Sequence, residues 1–153
     1  MTANPQHSDQ WLDFFAAGLD LVPQIDREPQ LDHLRAYFAA RHARWPYFYM
    51  EGEFWSPGNF DSLIEALEPH VAFQLIPAAT ALLLEQTEAL RIANAGWLLM
   101  NVVERSDTTE MPPALDNQWM AVMALLDVTE GQEARKDAGF VKEELVRWYL
   151  RRQ

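Results

Sequence analysis

Apolar side chains recur at three- and four-residue steps through most of the chain, and few windows alternate strictly, so the pattern predicts helices rather than strands. The first run places Trp11, Phe15, Leu19 and Val22 on one face, with Ser8 as its cap and Pro23 as its interruption. A second begins near Pro29, a residue suited to a first turn, and carries Leu31, Leu34, Phe38 and Trp45 until Pro46 restricts Trp45. Asn59 caps a third, through Phe60, Leu63, Ile64 and Leu67, which Pro69 stops or kinks. A fourth covers 70–85, with Pro77 at its first turn or as a kink. The fifth, over 87–105, is the most apolar and is expected at the centre of the fold. A polar loop over 106–112 then leads to Pro113, which opens a sixth helix bearing Leu115, Trp119, Val122 and Leu126. Gly131 separates it from the last, whose inner stripe reads Ala134, Ala138, Val141, Leu145 and Trp148.

A chain of 153 residues fits one domain, able to bury roughly two thirds of its unfolded surface without staples. The fold class that follows is all-α, a single helical domain over 1–153 with six or seven helices. Two architectures suit these lengths, an array of stacked helical hairpins and an irregular bundle. A nearly fully buried fifth helix between two pairs favours the array.

Between Pro46 and Gly58 the periodicity breaks, and Tyr47, Phe48, Tyr49, Phe54 and Trp55 crowd together. Tyrosine and tryptophan combine large apolar area with a polar tip and concentrate at interface hot spots. Tyr47, Tyr49 and Trp55 therefore stand as candidate partner-binding residues, and Glu51 and Glu53 among them give an acidic rim suited to a basic protein. The bland alternative is that these rings cover the end of the helical stack.

On the fifth helix, Arg91, Asn94, Asn101 and Arg105 fall within a sector of roughly 80° at 100° per residue. This stripe is either a thin solvent-facing strip, the favoured reading, or the lining of a groove. As a groove, its two arginines suit a small anionic ligand or the pocket of an enzyme.

Chemistry is sparse. The absence of cysteine excludes disulfides, thiolate metal sites and cysteine nucleophiles, and it agrees with a reducing compartment. His7, His33, His42 and His70 show no metal-binding spacing, since His33 and His42, nine residues apart, face opposite sides of one helix. The carboxylate pairs Glu51/Glu53, Glu85/Glu88 and Asp107/Glu110 read as solvated charges, and no serine sits in a nucleophile elbow or glycine-rich loop. No catalytic residue, metal or cofactor is assigned, and the balance leans against an enzyme. Net charge is −11, with thirteen Asp/Glu against two Arg over 51–130, a field that repels nucleic acid. The first ten residues lack a secretory layout and no apolar run approaches a membrane span, so a cytoplasmic protein that contacts no membrane is expected.

The run ALRIANAGWLLMNVVERSDTTEMPP, from Ala89 to Pro113, resembles a helix and following loop of small HEAT-like helical proteins, including bacterial immunity proteins that neutralise polymorphic toxins. The resemblance implies a cytoplasmic, acidic, non-enzymatic inhibitor of a toxin or effector domain. The leading expectation is accordingly a protein-binding module for a basic partner. Its rivals are a scaffolding protein acting as a homo-oligomer, and a receptor or enzyme for an anionic ligand at the Arg91/Asn94/Asn101/Arg105 stripe.

Overall fold

Proline opens two of the helices, because the first turn needs no intrahelical N–H donor there and the fixed φ is already helical. Pro69 follows the extended Glu68 and starts one, and Pro113 follows the extended Pro112 and starts another. The computed structural model describes residues 31–39, 42, 64–65 and 67–150. The helix expected over 8–22 and the aromatic segment over 46–58, with Tyr47, Tyr49, Glu51, Glu53 and Trp55, lie outside the described residues.

Among the described residues there are five helices and no strand, so the all-α class is observed with fewer helices than the six or seven expected for the whole chain. They are α1 (residues 31–39), α2 (Pro69–Leu84), α3 (Ala89–Arg105), α4 (Pro113–Leu125) and α5 (Gln132–Leu150). The fourth predicted helix is one element starting at Pro69, with Pro77 in its interior rather than in its first turn. Among the described residues no helix is long and apolar enough to cross a membrane.

A short link over 85–88 folds α2 and α3 into a hairpin, and α4 and α5 follow as a second pair. The first helices of the pairs pack together, α2 on α4, and the second helices likewise, α3 on α5. The α3–α5 contact runs in parallel: Trp97 stacks on Phe140 with ring centroids 5.2 Å apart, and further along Trp148 Nε1 donates to Thr108 O at 2.9 Å.

Ten of the seventeen residues of α3 are buried, which makes it the centre the apolar pattern predicted. At Gly96 the missing side chain is what permits the approach, since a Cβ there would lie 3.0 Å from Leu126 Cδ2 and 3.3 Å from Val141 Cγ1. On α5, Ala134, Ala138, Val141 and Leu145 are buried as the spacing predicts, but the last inner position is Tyr149 and not Trp148. The stripe takes a four-residue step after Leu145, leaving Trp148 half-buried against the 106–110 loop. Tyr149 meets Trp119 of α4 edge-on at 5.8 Å. From α1, Leu31, Leu34, Tyr37 and Phe38 enter the same core. Arg35 ties the outside of α1 to the end of α2 through a two-pronged contact with Glu85, at 2.9 and 3.1 Å. That hydrogen bond pushes the guanidinium still further above its ordinary pKa.

Candidate functional site

The polar stripe of α3 can be traced residue by residue. Arg91 is exposed and lies 3.7 Å from Glu88, one turn earlier. Asn94 is completely buried, and its Nδ2 is 3.1 Å from His42 Nδ1. Arg105 donates from Nε to the carbonyl oxygen of Leu67 at 2.6 Å. Asn101, between these two, is half-buried, and its Nδ2 is buried with no hydrogen-bond partner.

The favoured expectation of a solvent-facing strip is therefore corrected. Arg91 stands in solvent, whereas Asn94 and Arg105 are taken up by residues 42 and 67 and Asn101 is half-buried. A buried amide and a half-buried guanidinium need partners, and the chain supplies them from 52 and 38 residues away. The four residues share one helix face, and among the described residues Asn94 and Arg105 are held by partners within the chain.

A different surface emerges beside that stripe. Trp97, Leu90 and Glu104 project from a neighbouring sector of α3, at seven-residue steps. Phe140 of α5 stacks on Trp97 at an interplanar angle of 23° while remaining 45% exposed. Asp137 and Glu144 share the Phe140 face of α5, one helical turn to either side. Trp97 Nε1 is buried without a partner. The result is an aromatic pair bordered by carboxylates. Sequence spacing alone placed Trp97 on a helix, but nothing along the chain signalled that Phe140 would cover it.

No family model, curated protein or solved structure matches this chain.

A third feature lies where the start of α2 meets the end of α3. Pro69, His70, Phe73 and Gln74 from α2, with Ser106, Thr108 and Glu110 from the following loop, line a recess of about 360 Å³. Its loop wall is held by several hydrogen bonds. Ser106 Oγ donates to Val103 O at 2.5 Å, Glu110 N donates to Thr108 Oγ1 at 3.1 Å, and Thr108 O accepts from Trp148. Asp107 adopts a left-handed φ of 55°, which turns the chain out of α3 toward this wall. Gln74 Oε1 is buried and unpartnered.

Among the described residues no group of three or more His, Asp or Glu is gathered closely enough to hold a metal ion. The arrangement offers aromatic surface, carboxylates and an unsatisfied amide oxygen, all chemistry of recognition.

Proposed function

We propose that the chain is a protein-binding module whose partner is a basic protein. The observation that carries this reading is the Trp97–Phe140 pair, stacked across α3 and α5 and half exposed among Glu104, Asp137 and Glu144. A rigid, partly exposed aromatic pair is an efficient interface anchor. The chain's net charge of −11 would steer a positive surface toward it. The design repeats what the sequence places at Tyr47, Tyr49, Glu51, Glu53 and Trp55. In its finer form the reading makes the chain an immunity-type inhibitor of a toxin or effector domain in a reducing cytoplasm. That form rests on the resemblance of the 89–113 run, and the helical-repeat architecture belongs with it.

The test is capture on the immobilised full chain, compared between wild type, Phe140→Ala and the Glu51→Lys/Glu53→Lys double variant. The expected result is retention of one basic protein. Its dissociation quickens by about tenfold or more in Phe140→Ala, and its association slows at low salt in the double reversal. Identical kinetics in all three would remove both surfaces from the account.

Self-association is the second reading, and the exposure of Met120 (82%) and Leu150 (55%) supports it. Sedimentation velocity at micromolar concentration separates the two, because a homodimer needs no added protein. The anionic-ligand reading is not carried forward, since Asn94 and Arg105 are already engaged by the chain itself.

A further inference from the structure

We propose that the recess between the start of α2 and the 106–110 loop receives one cationic side chain, lysine or arginine, of the partner protein. This rests on the basic-partner reading above and gives it a point of contact. The lining is selective in sign. Glu110 is the only carboxylate or fixed charge among the described residues that line it, and Glu68 and Asp107 flank them in sequence.

Several acceptors stand in the polar lining. Gln74 lines the recess, and its Oε1 is buried without a donor. The Ser106 hydroxyl already spends its proton on Val103 O, so what it has left to offer is lone pairs. Phe73 and Pro69 supply apolar wall for an aliphatic stem, in the way long basic side chains bury their methylenes.

The nearby arginines are already engaged. Arg105 is directed to Leu67 O, and Arg147, one residue before the Trp148 that braces the loop, is paired with Glu144. The helix ends do not oppose the assignment as a set, because the start of α2 and the carboxyl end of α3 meet here with opposite dipoles. The volume of about 360 Å³ is ample for a guanidinium and its stem. The hydrogen bonds that hold residues 106–110 mean that little ordering is left for binding to supply.

The experiment is a titration of the isotope-labelled full chain, followed by NMR, with N-acetyl-arginine amide, N-acetyl-lysine amide and the neutral isostere N-acetyl-citrulline amide. The expected result is saturable shifts at Ser106, Thr108 and the Gln74 side-chain amide, with half-saturation on the order of 1–10 mM for the cationic probes. Citrulline, Glu110→Gln and Gln74→Leu should each weaken the response by about fivefold or more. Gln74→Leu removes an unsatisfied buried oxygen, so its melting temperature should hold or rise, which separates lost binding from lost folding.

Equal response to citrulline, or shifts spread evenly over the chain's carboxylates, overturns the proposal. So does a silent recess at saturating probe. Failure of the two readings is distinguishable. A basic protein that binds Glu110→Gln and Gln74→Leu as tightly as wild type removes the recess and leaves the module. Cationic probes that bind the recess of a chain capturing no basic protein would do the reverse.

Discussion

The two faces of α3 are built on opposite principles. Toward α5 the helix is apolar and so close that a Cβ at Gly96 would crowd Leu126 and Val141. Toward residues 42 and 67 it is polar, and contact is made by hydrogen bonds from Asn94 and Arg105, with Asn101 left unpaired between them. An apolar face gains from any good fit, whereas a polar face gains only where each group finds its partner. The first face should therefore be sensitive to volume and the second to the identity of single atoms.

The sharpest break is Gly96→Leu. Four added carbons cannot be absorbed by a shift of Leu126 Cδ2 when Val141 Cγ1 stands on the other side, so a loss of about 3 kcal/mol is expected. Gly96→Ala is the control. Its Cβ meets the movable end of Leu126, and the helix propensity gained, about 1 kcal/mol, offsets the crowding. Urea midpoints with unchanged m-values give both numbers. Equal costs for the two variants would mean the α3–α5 contact is looser than the geometry states.

Asn94→Ala comes next, with an expected loss of about 2 kcal/mol from a buried amide whose partner is a ring nitrogen. A double-mutant cycle with His42→Ala measures how much belongs to that pair, since His42 also packs on the Phe38 ring at 5.7 Å. A coupling energy near zero would shift the cost of Asn94 to its other contacts.

This difference between faces also explains what could be read from the sequence. The apolar face follows from spacing, because burial on a helix repeats every three or four residues whatever covers it. Thus Ala134, Ala138, Val141 and Leu145 were legible, and the stripe went astray only at Trp148, where steps of three and four both led to an aromatic residue. The polar face was legible as a sector but not as a contact, because His42 and Leu67 are brought to it by tertiary structure that no periodicity encodes. The recess shows the same limit. Asp107 and Glu110 marked a polar loop, but only folding sets that loop against Phe73 and Gln74.

Arg105→Ala tests the other anchored point of the polar face. Its Nε bond to Leu67 O is charge-assisted but partly reached by water, so about 1–1.5 kcal/mol is expected. Amide exchange should quicken around residues 64–72 more than on α5 if the bond holds that segment down. Uniform quickening would mean that the arginine acts through packing of its stem.

Asn101→Leu is the smallest expected effect and the only one with the opposite sign. Asn101 Nδ2 is buried and makes no hydrogen bond, so the folded state carries its desolvation without return. Leucine keeps the branched outline of the asparagine side chain though it is bulkier, removes the orphan donor and adds apolar surface near Trp97, one turn earlier. A gain of about 1 kcal/mol follows, visible as a higher urea midpoint. The sign carries the argument. A loss instead of a gain would mean that the amide has a partner in solution, a bound water or an acceptor elsewhere in the chain. The contrast between the faces of α3 would then narrow to one of chemistry alone, with both of them fully satisfied.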